Sequence, residues 1–435
     1  MQTNKIEFPP GFLWGTATAS HQVEGGNQNN NWHLWEQIPG KILHGQKSGL
    51  ACDWWNGRWK EDLDRAAQAG QNAHRLSLEW SRIQPSPGIW DDKALQTYQE
   101  IIQGILDRGM KPLVTLHHFT DPIWFIERGG WEKPDAIDAF ASYVKKAVSF
   151  LAPLVNFWCT INEPNVYVYC GYLGGEFPPG KKNSFLAFKV MENMVKAHAA
   201  AYKAIHAIQP NAKVGIALNY RDMKPARPDS WLDSLIAGFH SKTYNDAFPV
   251  ALQKGKLKFL FQRSAIPQAK GTQDFLGINY YTCDLVAFDL FKPSALFGRH
   301  FYPPGVPLSE NKFLASVPSS MKEALLWAKK FGVPLVVSEN GIEDSQDTLR
   351  PFYTVQHIYE MGKSIQEGCP VQGYFHWSLV DNFEWERAWT QRFGLWDLDV
   401  QTQERRKRPT VDIYADICKK NAISEEIWKK FGDKS

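Results

Sequence analysis

The sequence predicts an α/β protein, a single (β/α)8 TIM barrel with long βα loops over its C-terminal mouth. Three observations carry this. Short apolar runs alternate with longer amphipathic stretches along the whole chain. The apolar runs number eight, the count of a closed barrel. No Pro/Gly/Ser-rich linker or break in composition divides residues 1–435, so one domain is expected. A doubly wound sheet would announce itself with a GxGxxG turn after the first strand, and that turn is missing.

In chain order, the first strand is "FLWGTATA" (12–19), followed by "AHRLSLEW" (73–80) and "KPLVTLHHF" (111–119). The fourth, "VNFWCTI" (155–161), is apolar and aromatic as a buried strand should be, and the chain turns after it at Pro164. "KVGIALNY" (213–220), "FLGINYYT" (275–282), "PLVVSEN" (334–340) and "VQGYFHWSL" (371–379) complete the set. The helical stretches between and after them are 58–69, 92–108, 133–151, 186–208, 231–244, 319–331, 349–367 and 410–418. Proline-rich connections such as "EFPPG" and "YPPGVP" are expected over the barrel mouth.

Composition narrows the function classes. Hydrophobic residues make up 43%, enough for a large core. The net charge of +3 gives no electrostatic case for nucleic acid or membrane. The basic run "ERRKRPT" (404–410) reads as a solvated loop before the last helix. No apolar run is long enough to span a membrane, and the N-terminus has no signal-peptide pattern. The six cysteines form no CxxC pair, which argues against a zinc site and for a reducing compartment, so a cytoplasmic location is expected. No metal or organic cofactor is implied. The 18 tryptophans are many, and several are expected to line a site, because flat apolar rings suit stacking on sugar faces.

In such a barrel, chemistry is built at the C-terminal strand ends. The first strand leads to His21 and Gln22; the second carries Arg75 and ends at Glu79 and Trp80. The third delivers His117 and His118, the fourth Asn162 and Glu163, the fifth Asn219 and Tyr220. The sixth delivers Asn279, Tyr280 and Tyr281, the seventh Glu339 and Asn340, the eighth Trp377, and "DNFEW" follows (381–385). Glu163 and Glu339 can face each other across the mouth, and glycosidic bond cleavage needs such a carboxyl pair. Asn162 and His118 can bind sugar hydroxyls, Trp377 can stack under a ring, and Arg75 can hold Glu339 ionised. His117 points the other way along its strand and reads as structural. Glu79 is expected as an ion-pair partner behind the site, and Glu36, Asp53 and Asp121 as loop carboxylates.

"TINEP" (160–164) and "VVSENG" (336–341) resemble the two signature motifs of the family 1 glycoside hydrolases, the β-glucosidase family. "GFLWGTATASHQVEGG", "HRLSLEWSRIQP", "GINYY" and "WSLVDNFEW" resemble its other hallmarks, in order, over residues 8–409. The resemblance implies that Glu163 is the acid/base and Glu339 the nucleophile. It implies that Gln22, His118, Asn162 and Glu384 bind the sugar, with Trp385 beside them and Trp377 as platform. It makes Arg75, Asn279 and Tyr281 the support of the nucleophile, with Tyr281 also at the substrate. The implied substrate is a small-molecule β-glycoside, cleaved with retention through a covalent glycosyl-enzyme, with transfer to an alcohol open to the same intermediate. Oligomeric state stays open, a homo-oligomer included.

The sequence departs from the family pattern in three places. Phe119 stands where tryptophan is usual, which removes an N–H donor toward the sugar and is expected to loosen selectivity between epimers. The segment "SENKFLASVPSSMKEALLWA" lacks the tryptophan that floors the leaving-group side in many members. Residues 284–304 are rich in apolar side chains, read either as packing onto the barrel or as a greasy entrance. A 6-phospho-β-glycosidase would resemble this chain but carry serine in place of Glu384, with Lys and Tyr downstream where Gln391 and Phe393 stand. A non-catalytic sugar-binding relative would lack one of the two glutamates, and both are here.

Overall fold

The computed structural model describes residues 5–432. The outermost parts of the expected 1–435 domain, 1–4 and 433–435, lie outside the described residues. All eight expected strands form: β1 Leu13–Ala17, β2 Ala73–Ser77, β3 Lys111–His117, β4 Phe157–Asn162, β5 Lys213–Pro225, β6 Phe275–Phe288, β7 Leu335–Asn340 and β8 Val371–His376. Each pairs in parallel with the next, and β8 closes on β1 with Gly373 opposite Leu13. A helix layer outside and side chains inside cover both faces, so β7, "LVVSEN", is buried along its whole length.

The outer layer contains α1 Trp59–Gln68, α2 Asp92–Asp107, α3 Ala136–Leu151, α4 Ser184–Ile208, α5 Trp231–Ser241, α6 Ser319–Lys329, α7 Arg350–Gln366 and α8 Thr410–Lys420. α2 shows how sequence sets the ends and the inner face. The Asp91 carboxylate accepts from the Lys93 and Ala94 amides at its N-terminus, and Leu95, Tyr98, Ile101, Ile102 and Ile105 form its buried stripe. Asn183 and Ser230 cap α4 and α5 in the same way.

Three segments differ from expectation. Strands β5 and β6 run past the barrel, pairing on from Asp222 opposite Cys283 to Pro225 opposite Val286. Residues Gly298–Phe301 add an antiparallel strand to β6, so much of 284–304 is a ribbon. Above the rim the ribbon is no longer sandwiched between core and helices; burial along β5 there becomes alternating, a pattern that a search for continuous apolar runs misses.

The helix expected over 231–244 stops at Ser241 and widens into a π turn, Lys242–Asp246, before the helix Ala247–Lys254. The turn brings the Asn245 amide onto the Arg221 backbone, accepting from its N–H at 3.0 Å and donating to its carbonyl at 2.8 Å. The basic run is only partly solvated. Arg405 and Arg408 are buried on Asp62 and Asp381, at 3.1 and 2.8 Å, while Arg406 and Lys407 face water. Among the described residues no helix is long and apolar enough to cross a membrane.

Barrel closure depends on a bare backbone at Gly215. A Cβ there would sit 2.3 Å from the Phe275 carbonyl oxygen and 2.8 Å from its ring. Gly215→Ala should therefore push β5 from β6 and cost about 1–3 kcal/mol. A urea or thermal melt checks this, and a wild-type midpoint would contradict it.

Candidate active site

The C-terminal strand ends open on a cavity of about 240 Å³. At its base lies Arg75, on β2 and only 1% exposed. Its guanidinium reaches three other strands. Nη1 donates to Glu339 Oε1 at 2.6 Å and to the Ser338 carbonyl at 3.2 Å on β7. Nη2 donates to Asn162 Oδ1 at 2.6 Å on β4, and Nε to Thr115 Oγ1 at 3.1 Å on β3. The second oxygen of Glu339 accepts the Tyr281 hydroxyl at 2.6 Å.

Glu163 is held differently. Its Oε1 accepts neutral amide N–H groups from Asn279 at 2.8 Å and Asn219 at 3.0 Å. The Asn279 amide cannot turn round, because its N–H also donates to Asn162 Oδ1 at 3.1 Å, an oxygen held by Arg75. The Asn279 carbonyl accepts the Ser338 hydroxyl at 2.6 Å, and the Asn219 carbonyl accepts the Tyr244 hydroxyl at 2.9 Å. Asn162 is fixed too. Its oxygen accepts from Arg75 and from Asn279, so its N–H donates to His118 Nε2 at 3.1 Å. His118 consequently carries its proton on Nδ1, a buried atom with no protein partner. Gln22 donates to Asn382, to the Phe383 carbonyl and to Glu384 Oε2 at 3.2 Å, while its own oxygen is buried and without a protein partner.

Electrostatics follow from burial. Loss of water, then the nearby Glu339 charge, push the Glu163 carboxyl up to about 8, against the pull of the Asn219 and Asn279 amides. Burial also raises Glu339, opposed by the Arg75 cation and the Tyr281 hydroxyl. Glu384 rises to about 8 through burial and its neighbours Glu386 and Glu339. Burial drives His118 well below its ordinary value, so it is neutral. The Trp377 and Trp385 rings lie near-parallel to the His118 ring, at 6.1 and 5.9 Å.

The chain turns sharply here. Glu163, Phe119 and Trp385 all have left-handed φ, at +44°, +68° and +49°. Each such residue costs about 1–3 kcal/mol and persists because its surroundings hold it. At Glu163 the turn joins β4 to the short helix Pro164–Val168, whose proline is fitted to a first helical position.

The structure brings Gln22, Arg75, His118, Asn162, Glu163, Asn279, Tyr281, Glu339, Trp377, Glu384 and Trp385 into one group around the cavity. His117 turns away to Asp121, at 3.0 Å. Glu79 is not an ion-pair partner. It accepts from Ser20, Ser81 and Thr120 hydroxyls, because the nearby cation, Arg82, is bound to Glu24. Asp121 lies in the loop after β3 as expected, but it is buried, and Glu36 is buried at the end of the helix Asn31–Glu36; Asp121 takes the Trp131 and Tyr167 donors as well as His117. Two tryptophans line the cavity, whereas Trp14, Trp80 and Trp158 are among those in the core.

No residue of 284–304 lines the cavity. Part of its wall is instead Phe313, with the Arg387 guanidinium 4.8 Å over the ring, together with Tyr244 and Arg221. Sequence reasoning missed these four. Arg221 carried one usable signal: it stands two residues beyond Asn219 and so shares its strand face.

Residues 4–423 match the sequence model of glycosyl hydrolase family 1. β-Glucosidase A of Thermotoga maritima is 32% identical, over 97% of this chain and 100% of that protein. A β-galactosidase of Pyrococcus woesei is 31% identical, over 97% of this chain and 98% of its own length. The solved structure of a β-glycosidase from Pyrococcus horikoshii superposes with a TM-score of 0.92 at 37% identity, covering 98% of each chain.

Removing the central cation strands a buried carboxylate. Arg75→Met is expected to cost about 3–5 kcal/mol. The loss should be larger at pH 9 than at pH 5. Without Arg75 the folded-state value of Glu339 rises further above its unfolded one, so the variant goes on losing stability as pH climbs beyond the wild-type folded value toward its own. Denaturant midpoints at the two pH values check the sign.

Proposed function

The chain belongs to glycosyl hydrolase family 1, and from that membership we propose that it is a retaining exo-β-glycosidase. Its substrates on this reading are small β-glucosides, with β-galactosides and β-fucosides also accepted. The observation that carries the reading is the unequal treatment of two carboxyls in one cavity. Glu339 accepts a guanidinium and a hydroxyl, both at 2.6 Å, which favour its charged form. Glu163 accepts only neutral amides and is pushed up to about 8.

The single proton of the pair therefore resides on Glu163. Glu339 attacks the anomeric carbon while Glu163 gives its proton to the departing oxygen, leaving a glycosyl ester on Glu339. Esterification removes the Glu339 charge, the second cause of the Glu163 shift, so Glu163 becomes a stronger acid and a usable base. It then takes a proton from water, or from an alcohol acceptor, which attacks the same face and restores the original configuration. The unpartnered Gln22 oxygen and His118 Nδ1–H are an acceptor and a donor suited to sugar hydroxyls. Glu384 adds a carboxyl, and Trp377 supplies the platform under the ring. Phe119 offers no hydrogen bond, which favours broad acceptance of epimers.

A sugar phosphate fits poorly. Glu384 is a buried carboxyl bonded by the Gln22 amide, and a dianion placed there would meet the Glu339 charge. A cytoplasmic location is consistent with six unpaired cysteines.

Nitrophenyl β-D-glucoside should be cleaved, and Glu339→Ala should reduce its cleavage to background. Proton NMR of the first product should show the β-anomer; an α-anomer would overturn the retaining assignment. The pH profile of kcat/KM should fall on its alkaline side near pH 8, as Glu163 loses its proton. Asn219→Ala removes a donor that favours the charged form, so this limb should move to higher pH.

A further inference from the structure

We infer that Arg221 selects the leaving group, binding the hydroxyls of a second sugar; the inference rests on the assignment of Glu163 as the proton donor. Asn219 bonds the Glu163 carboxyl, so β5 flanks the side of the cavity where the departing oxygen sits. Arg221 is the next residue on that strand face and lines the cavity. Its backbone is clamped at both N–H and carbonyl by Asn245.

The guanidinium is held in place yet one-third exposed, with Nε 3.3 Å from Asp284 Oδ2. Asp284 is itself only 5% exposed and is shared, because the same oxygen is 3.0 Å from His300 Nδ1. His300 Nε2 lies 3.0 Å from His240 Nδ1, and His240 Nε2 donates to the Leu296 carbonyl at 3.2 Å. Strand extension, added strand and helix α5 thus converge to fix one cation in the wall. A guanidinium locked this way suits oxygen acceptors at fixed spacing.

The charge of Arg221 is already met by Asp284 before a ligand arrives. Glu384 and Glu386 stand in the same wall as the two reacting carboxyls, and Arg387 is already paired with Glu386 at 3.2 Å. The remaining guanidinium N–H groups of Arg221 then suit neutral sugar hydroxyls. Phenyl and alkyl groups offer Arg221 no oxygen acceptor beyond the glycosidic one.

The test compares kcat/KM on cellobiose with that on phenyl and octyl β-glucosides. Losing a hydrogen bond from a charged donor predicts a drop of about 10- to 100-fold on cellobiose for Arg221→Met. The two other substrates should change less than about 3-fold. Arg221→Lys should fall between wild type and Arg221→Met on cellobiose alone. Arg221→Gln, which keeps a neutral donor, should give the same contrast at smaller size if the methionine variant fails to fold. An equal loss on all three substrates, or no loss on cellobiose, overturns the inference. So does a wild-type enzyme that cleaves the phenyl glucoside but not cellobiose. Failure on every glucoside would instead overturn the assignment of function.

Discussion

A guanidinium buried inside a barrel has to be fully paired, and the architecture of this site follows from that requirement. Arg75 is 1% exposed, and water cannot satisfy it. Its partners must come from the strands around it, and they do, from β3, β4 and β7. Each partner is then committed. Glu339 cannot rotate away without abandoning a cation, and Asn162 cannot flip without presenting an N–H to it. The fixed orientation passes outward through Asn162 to His118 and through Asn279 to Glu163. One buried charge thus dictates tautomer, amide orientation and carboxyl position over much of the cavity floor.

The same arrangement separates the chemistry of two identical side chains. Glu163 and Glu339 lie buried at one cavity, and burial raises both. What distinguishes them is the identity of their donors, a cation and a phenol on one side and two amides on the other. The amides come from strand ends, and their oxygens accept the Ser338 and Tyr244 hydroxyls. Electrostatic asymmetry here is a product of side-chain geometry rather than of differing exposure.

Much of this was legible in the residues. Eight apolar runs marked eight strands, because a strand covered on both faces has to be apolar throughout. The site residues were legible because they stand at strand ends in ordered motifs such as "TINEP" and "VVSENG". What escaped was one-sided or long-range. The upper parts of β5 and β6 alternate, and Arg221 and Asp284 look like ordinary ribbon charges until the two strands are paired. Arg405 and Arg408 read as a solvated basic run because their partners, Asp62 and Asp381, are not neighbours in the chain. Glu79 was expected to seek a cation, and the hydroxyls that serve it instead come from three separate segments.

The Arg75–Glu339 pair joins residues 264 apart, and Gln22 reaches Asn382 across 360. Contacts of that span carry a large loop-closure cost and come late in folding. While the chain is being made, Arg75 emerges long before Glu339 and has only water and nearer residues to pair with. No amino-terminal fragment that stops short of β7 contains both of the opposed carboxyls, so the cavity needs the chain through Glu339 to be in place. Appearance of activity during refolding would report ring closure of the whole polypeptide rather than the formation of any one part of it.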